Sequence, residues 1–344
     1  MSKYQSTVDI AKALNLSPST VSRALNDHYS ISEKTKQRVL EYAKEVGFRK
    51  NLNASRLIQR KTFTLGILMP EVVSHTFSTL AQGISDVLEP AGYDMLIMNA
   101  SEQYEKEVHM LNYLASIRVD GIIFSPTQQT KDYAHLQTIL KNKIPFVNID
   151  RGLTDIDCHQ ILLDDEKGAF QAVQHLVKVG CKKIAHIAGP REALNSRNRI
   201  KGYKMALEAN QMDFDESLLT YSDFIIGNSI EAVRSLFDRK DIPDGIFAVN
   251  DEMALGCLHM AAQKDIQIPE QLALVGFDDE VYSSFFRPSL STVKSPIREM
   301  GQKAAQLCLD QMDNYEAFPP KIQLLSPKLI IRNSSRKGNP RHDC

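Results

Sequence analysis

Residues 7–26 read TVDIAKALNLSPSTVSRALN, and this stretch predicts two short helices separated by a turn. Apolar residues of the first helix recur at helical spacing: Val8, Ala11 and Leu14. Thr7 is the expected N-cap of this helix. Ser17 followed by Pro18 is typical of an N-cap and the first residue of a second helix, which should cover residues 18–25. Two helices joined by a three-residue turn predict a helix-turn-helix.

A third and longer helix completes a small domain. Ser32 is its expected N-cap, the sequence EKTKQRVLEYAKEV forms residues 33–46, and Gly47 marks its end. The apolar positions of this helix share one face: Val39, Ala43 and Val46. Because three such helices can enclose one core, residues 1–50 are predicted to form a domain.

The free face of the second helix carries hydroxyl groups and one arginine, which suits a helix in the major groove of DNA. Arg23 could read guanine, Ser19 could bond to a base or phosphate, and Pro18 could contact a thymine methyl group. Thr20 and Ser22 suit phosphate oxygens. The residues of this domain that we expect to contact DNA are Thr7, Pro18, Ser19, Thr20, Ser22, Arg23 and Asn26. An ordinary three-helix bundle is the alternative.

The formal charge of −1 on 344 residues hides a division along the chain. Residues 1–61 hold 12 Lys and Arg against 5 Asp and Glu, a balance of +7, whereas the remaining residues hold 29 against 37, a balance of −8. A basic end on an acidic body suggests that the N-terminal part meets a polyanion. A solvated basic face without a partner is the alternative.

Residues 51–61 form a polar, basic segment with only one or two turns of helix potential. A helix this short is marginal alone in water and could fold only when docked on DNA. Leu57 could then insert as an apolar wedge into the minor groove. A flexible tether is the alternative interpretation from the residues alone.

From residue 62 onward, short apolar runs alternate with amphipathic segments. The predicted strands are 64–69, 93–98, 121–125, 145–149, 159–163, 183–188, 245–249 and 272–277. The predicted helices include 77–90, 103–116, 166–179, 197–209, 229–238 and 252–264. This alternation predicts the α/β class, with doubly wound parallel sheets covered on both faces. The length of residues 62–333 predicts two lobes, followed by a tail over residues 334–344.

Polar residues gather where the predicted strands end, which is where doubly wound sheets bind ligands. The polar residues at strand ends include Asn99, Ser125, Asp150, Arg151, Asp164, Asp165, Asn250, Asp251, Asp278 and Asp279, and Arg197 and Arg199 open a later helix. Such groups can hold a sugar or another small polar ligand, with Phe77 and Phe224 as apolar platforms. Helix capping is the alternative role for each Asn or Asp taken singly.

The sequence lacks the motifs of common enzyme sites. No two of the 16 glycines lie closer than nine positions, so neither a dinucleotide fingerprint nor a P-loop is present, and G-x-S-x-G and H-E-x-x-H are missing. We therefore expect no enzymatic activity, no metal site and no cofactor. Five cysteines without a C-x-x-C pair, no signal peptide and no membrane-spanning stretch predict a cytoplasmic protein.

The motifs together resemble the lactose repressor (LacI/GalR) family of bacterial transcription regulators. They are TVDIAKAL, SPSTVSRALN, ISEKTKQRV, GFRKN, RVDGII, IAGP, RIKGY, NDEMALG and VGFDD, in the order that the family has. The resemblance implies a dimeric repressor that binds inverted-repeat operator DNA and carries a two-lobed core similar to periplasmic sugar-binding proteins. It also implies that residues 51–61 are a hinge helix. A sugar-binding receptor without a gene-regulatory role is the alternative function.

The resemblance further implies which residues act. The DNA contacts extend to Asn51, Ala54 and the wedge Leu57. The effector-binding positions are Ser74, Phe77, Ser125, Asp150, Arg151, Arg199, Phe224, Asn250 and Asp278. Sugars and their derivatives are the usual effectors of the family, and effector binding should reorient the lobes and change operator affinity. The end of the chain has no heptad pattern, so the resemblance implies a dimer, associated with the nucleoid.

Overall fold

The computed structural model describes residues 6–48, 61–73, 75–223, 226–315 and 319–336, without the side chains of residues 226–229. The chain divides into two units, Met1–Thr62 and Phe63–Cys344. In the first unit the helices are α1 (Thr7–Leu14), α2 (Pro18–Leu25) and α3 (Glu33–Glu45).

Serine side chains begin the three helices of the N-terminal unit. Ser17 and Ser32 cap α2 and α3 as predicted. The N-cap of α1 is Ser6, so the prediction of Thr7 was wrong by one residue. Ser6 Oγ accepts a hydrogen bond from the Asp9 amide, and the Asp9 carboxylate accepts one from the Ser6 amide, which makes a capping box.

One small apolar core holds these helices together. Its buried members are Ile10, Ala11, Leu14, Val21, Ala24, Val39 and Ala43. Val8 was predicted to face this core but is 45% exposed, and Ile10 takes that place. The core therefore forms on one side of α2 and leaves the other side accessible.

The second unit contains the remaining strands and helices. The strands are β1 (Thr64–Met69), β2 (Asp94–Asn99), β3 (Gly121–Phe124), β4 (Phe146–Asp150), β5 (His159–Leu163), β6 (Ile184–Ala188), β7 (Leu219–Tyr221), β8 (Gly245–Ala248), β9 (Ala273–Asp278), β10 (Ser291–Lys294), β11 (Ile322–Leu325) and β12 (Lys328–Ile330). The helices are α4 (His75–Leu88), α5 (Tyr104–Ser116), α6 (Leu136–Lys141), α7 (Asp165–Lys178), α8 (Leu194–Ala209), α9 (Ile226–Phe237), α10 (Asp251–Gln263) and α11 (Ile297–Asp313).

The strands form two six-stranded sheets, which define an N-lobe and a C-lobe. The N-lobe sheet has the order β11-β5-β4-β3-β1-β2, and all its neighbours are parallel. The C-lobe sheet has the order β12-β10-β9-β8-β6-β7, and within it only β12 runs antiparallel to its neighbour. The central strands are buried on both faces, so their sequences are continuous apolar runs.

The chain crosses between the lobes after β5, after β10 and after β11. Helix α7 packs on C-lobe strands directly after β5, and α11 packs on β3, β4 and β5 of the N-lobe after β10. Glycines bring α11 against α4, because a Cβ at Gly83 would lie 2.1 Å from the Arg298 carbonyl oxygen and one at Gly301 would lie 2.4 Å from that of Leu80. The crossings place the C-terminal ends of strands from both sheets around one cleft.

The end of the second unit differs from the expected tail. Ser334 and Ser335 are fully buried in a short 3₁₀ helix, Asn333–Ser335. Ser334 Oγ donates to the Leu274 carbonyl, and Ser335 Oγ bonds to Ser291 Oγ. The boundary predicted at residue 334 was therefore too early, because these hydroxyl groups complete the hydrogen bonds of β9 and β10. None of the helices in the described part of the chain is long and apolar enough to cross a membrane.

Candidate functional site

The accessible face of α2 presents a row of polar side chains. The exposed polar residues lie at positions i, i+3, i+4 and i+7 of this face: Ser19, Ser22, Arg23 and Asn26. Val21 and Ala24 on the opposite face are buried. Within the described residues the Arg23 guanidinium has no hydrogen-bond or ion-pair partner. This face therefore has donors and acceptors available for base edges and phosphate oxygens.

Hydroxyl groups cluster at the N-terminus of α2. Ser17 Oγ accepts a hydrogen bond from the Thr20 amide at 3.0 Å and lies 2.8 Å from both Ser19 Oγ and Thr20 Oγ1. The partial positive charge of a helix N-terminus favours an anion such as a phosphate there. Pro18 beside this cluster is exposed, and Thr7 at the start of α1 is half-buried. The other predicted DNA contacts, Asn51, Ala54 and Leu57, lie outside the described residues.

A polar cavity of about 640 Å³, including the space at its mouth, lies between the two lobes. The N-lobe side is lined by Glu71, Thr76, Phe77, Asp150 and Arg151, and the C-lobe side by Asn195, Arg199, Asn250, Asp251, Glu252, Asp278 and Glu280. Six of the nine predicted effector-binding residues are among these. Ser125 is buried and does not line the cavity, whereas Ser74 and Phe224 lie outside the described residues.

Arg199 is the buried cation at the floor of this cavity. Its Nε donates to Asp165 Oδ1 at 2.7 Å, Nη1 donates to the Val249 carbonyl, and Nη2 lies 3.7 Å from Asp278 Oδ1. The guanidinium also stacks 3.6 Å from the ring centre of Phe277. Arg199 therefore links α8 to α7 and to the ends of β8 and β9.

Arg151 is held at the N-lobe wall by a forked ion pair. Its two terminal nitrogens donate to the Glu102 carboxylate at 3.1 and 2.8 Å, and Nη1 also donates to the Pro126 carbonyl at 3.1 Å. Such a two-point contact fixes the plane of the guanidinium. Both arginines of the cavity are thus already bonded to carboxylates of the protein.

Asn250 and Asp251 support the C-lobe wall. Asn250 caps α10 by accepting a hydrogen bond from the Met253 amide, as the capping interpretation predicted. Asp251 is fully buried and accepts hydrogen bonds from the hydroxyls of Ser283 and Thr292 and from the Glu280 amide. A Cβ at Gly276 would lie 2.2 Å from Asp251 Oδ1, so this carboxylate needs glycine beside it.

Carboxylates outnumber cations on the cavity wall. Six acidic residues face two arginines: Glu71, Asp150, Asp251, Glu252, Asp278 and Glu280 against Arg151 and Arg199. A phosphate or carboxylate group on a ligand would meet these acidic groups without an unengaged cation, because both arginines are already bonded to carboxylates. The wall therefore favours an uncharged, hydroxyl-rich ligand, whose OH groups the carboxylates can accept as hydrogen-bond donors.

Several lining residues were missing from the sequence prediction: Glu71, Thr76, Asn195, Glu252 and Glu280. Thr76 at the start of α4 donates to Glu280 Oε1 across the cleft at 3.1 Å. Glu71 and Glu280 come from loops after β1 and β9, so their position two residues beyond a strand end was the available signal. Among the described residues, no group of three or more His, Cys, Asp and Glu could hold a metal ion.

The stability of the second unit is expected to fall as the pH rises from 6 to 8. Burial raises the pKa of Asp278 to about 8, against the opposing effect of Arg199, and raises the pKa of Asp251 and Glu252 to about 7 each. Because these pKa values exceed those of the unfolded chain, the folded state binds more protons, and this stabilisation is lost as the groups ionise.

This pH dependence can be measured as the melting temperature at pH 6, 7, 8 and 8.5 at constant ionic strength. Asp278→Asn should flatten the curve between pH 7 and 8.5, since an amide does not titrate. A melting temperature that rises over this range, or an unchanged curve in the variant, would show that these carboxyl groups are ionised in the folded protein at neutral pH.

Two family descriptions match the chain. Residues 7–51 match the bacterial regulatory proteins of the lacI family, and residues 173–335 match a periplasmic binding protein-like domain. Catabolite control protein A of Priestia megaterium is 32% identical over 329 residues, which are 95% of this chain and 98% of that relative.

Solved structures show the same architecture. The complex of the transcriptional regulator CelR with cellobiose is 27% identical, with a TM-score of 0.74 over 96% of this chain and 100% of that chain. The lac repressor dimer bound to operator and the anti-inducer ONPF is 23% identical, with a TM-score of 0.87 over 97% of this chain and 99% of that chain. At 23% identity, the similarity to the lac repressor shows the fold alone.

Proposed function

The chain belongs to the lacI family of bacterial regulatory proteins, and from this premise we propose that it is a sequence-specific DNA-binding repressor controlled by a small molecule. One observation carries the proposal: an accessible polar helix face and a polar interlobe cleft occur in the same chain. The protein binds an inverted-repeat operator as a dimer, and an uncharged sugar or sugar derivative in the cleft changes its operator affinity.

The N-terminal unit supplies the DNA contacts. Arg23 and Ser19 on the accessible face of α2 bond to base edges, and Pro18 packs on a thymine methyl group. The hydroxyl cluster at the helix N-terminus favours phosphate oxygens. The remaining contacts are assigned to Thr7, Ser22, Asn26, Asn51, Ala54 and Leu57. This unit also favours a regulator over a sugar receptor, because a transport receptor has no use for it.

In this proposal, an effector bound in the cleft controls operator affinity. A sugar bound between the lobes accepts or donates hydrogen bonds on both walls, for example at Asp150 of the N-lobe and Asp278 of the C-lobe. Any difference in the effector's affinity for the two lobe arrangements shifts their populations and sets the upper limit of the coupling to DNA, which is typically about 1–3 kcal/mol. The Thr76–Glu280 hydrogen bond crosses the cleft and supports one of these arrangements.

The proposed site of action is operator DNA in the cytoplasm, in association with the nucleoid. Several relatives are named as transcriptional regulators, and we assign no pair of groups in the described cleft to catalysis. We therefore propose binding and allostery, without an enzymatic step or a cofactor.

Operator binding is the direct test of this function. The purified protein should bind an inverted repeat upstream of its own or neighbouring genes at least about 10³-fold more tightly than random DNA of equal length. The logarithm of the affinity should fall steeply with the logarithm of the salt concentration, by about 0.9 for each phosphate neutralised. Affinity for random DNA equal to that for every upstream repeat, at a stated salt concentration, would reject the repressor.

The effector response depends on the cleft, and Asp278→Asn is expected to impair it. A sugar that raises the melting temperature of the wild type should give a smaller shift in the variant, because a carboxyl group at the cavity wall is replaced by an amide with a different set of hydrogen-bond donors and acceptors. Operator affinity without sugar should remain the same within about two-fold. A variant that loses both properties equally would show that Asp278 stabilises the protein and does not contact the effector.

A further inference from the structure

A second cavity adjoins the effector cleft. It has a volume of about 480 Å³, again with its open mouth, and it shares Arg151 and Asn195 with the first cavity. Its N-lobe side comes from the loop after β3, and its C-lobe side from the residues that precede and begin α8. The two cavities are therefore continuous past one arginine and one asparagine.

The N-lobe wall of the second cavity is built on a buried carboxylate. Glu107 is fully buried and accepts hydrogen bonds from the Thr127 amide at 2.6 Å and from Thr130 Oγ1 at 2.8 and 2.9 Å. Glu102 accepts a further bond from the Gln128 amide while it holds Arg151. These bonds fix the loop before any ligand arrives, which lowers the entropic cost of binding.

The chemistry of the second cavity differs from that of the first. Its polar uncharged side chains are two threonines and two amides, with Tyr133 as an aromatic surface. Its charged side chains are Arg151, which Glu102 already binds, and Arg197 and Glu192, whose charges balance. Amides, hydroxyls and an aromatic ring are groups that bind the alternating polar and apolar surface of a sugar ring. If one ligand fills both cavities, the part that lies in the acidic first cavity carries no phosphate group.

We propose that the second cavity is the subsite for a second sugar unit, so that the effector is an uncharged disaccharide or a longer oligosaccharide. One unit lies among the carboxylates of the first cavity, the glycosidic bond passes Arg151 and Asn195, and the next unit lies against Gln128 and Tyr133. This inference rests on the proposed function, since it assumes that the cleft binds the effector.

The experiment measures binding of matched sugars to the full-length protein by thermal shift and calorimetry. The probes are cellobiose, maltose, trehalose, lactose, melibiose and sucrose, each beside its component glucose, galactose or fructose, with glucose 6-phosphate as a charged probe. One disaccharide should bind at least about ten-fold more tightly than either component, and glucose 6-phosphate should not bind.

Two variants locate the second unit. Ala193→Phe fills the second cavity from its C-lobe side and should weaken disaccharide binding at least about ten-fold while leaving binding of the monosaccharide unchanged. Gln128→Ala should weaken only the disaccharide, by about five-fold. Asp278→Asn, in the first cavity, should weaken both sugars.

The outcomes separate this inference from the proposed function. Equal affinities for a monosaccharide and its disaccharides, with no effect of Ala193→Phe, would reject the second subsite and keep the repressor. Binding of no sugar in the panel would reject both the sugar effector and the subsite, while operator binding would still stand as the test of the repressor. Tighter binding of glucose 6-phosphate than of any disaccharide would also overturn the inference.

Discussion

Replacement of Arg23 by alanine is expected to weaken operator binding by about 1–3 kcal/mol for each half-site that the residue reads. A dimer reads two half-sites, so the loss of affinity should be roughly twice as large in free energy. The variant should also discriminate less between bases at the position where Arg23 bonds.

The reason lies in the position of this side chain on α2. Arg23 is exposed, stands on the same helix face as Ser19, and has no other partner among the described residues. Its removal therefore leaves the core of Val21 and Ala24 intact. The loss should appear in DNA binding and not in folding.

Fluorescence anisotropy with the operator, with single-base variants of each half-site and with random DNA measures this effect at one salt concentration. Lys34→Ala is the matched control, because Lys34 is an exposed cation on α3 of the same unit. It should cost affinity for all sequences by the same small factor. If Arg23→Ala and Lys34→Ala reduced specific and random binding equally, Arg23 would be only one of several phosphate-attracting charges.

Much of the N-terminal unit could be predicted because its signals are local. Ser17 before Pro18, Ser32 and Gly47 mark helix ends through bonds within a few residues. The errors were also local: Ser6 rather than Thr7 caps α1, and Ile10 rather than Val8 enters the core. At the start of a helix, periodicity alone does not distinguish neighbouring positions, since a rotation of one residue moves the buried face by about 100°.

Most strands of the second unit that were predicted are buried on both faces, and the partly exposed β2 is the exception. The strands that escaped prediction are short, with three or four residues each: β7, β10, β11 and β12. Helix α11 was missed as well, because Gly301, Ala304 and Ala305 form much of its buried face and small residues weaken an apolar pattern. Which sheet each late strand joins is a long-range property that a local pattern does not contain.

The residues of the cleft also divide into local features that a sequence pattern contains and long-range features that it does not. Asp150, Asn250 and Asp278 could be predicted because each stands at the end of a strand or the start of the next helix. The distances between these residues could not be predicted, since the residues come from two sheets that meet only after the chain has crossed between the lobes. The ion pairs of Arg199 and the carboxylate excess at the cavity wall therefore appear only in the folded unit.

Replacement of Arg199 by methionine is expected to destabilise the second unit by about 3–5 kcal/mol. Arg199 is 5% exposed, and its guanidinium lies 2.7 Å from Asp165 and 3.7 Å from Asp278. Its removal leaves these carboxyl groups buried without a cation. Burial raises the pKa of Asp165 to about 6 and that of Asp278 to about 8, against the opposing charge of Arg199. Asp165 is therefore the group that is mostly ionised at neutral pH, and without the arginine it must bind a proton or become solvated.

Thermal unfolding at pH 7 measures this loss, and two further variants show its origin. Arg197→Met removes an exposed arginine two positions earlier on α8 and should change stability by less than about 0.5 kcal/mol. The combination of Arg199→Met with Asp165→Asn and Asp278→Asn should recover part of the loss, since neutral amides need no counter-ion. Recovery indicates that charge balance, more than the packing of Arg199 on Phe277, holds the floor of the cleft. If the single Arg199→Met variant were as stable as the wild type, these carboxyl groups would not depend on Arg199, because they would already be solvated by water or relieved by a conformational change.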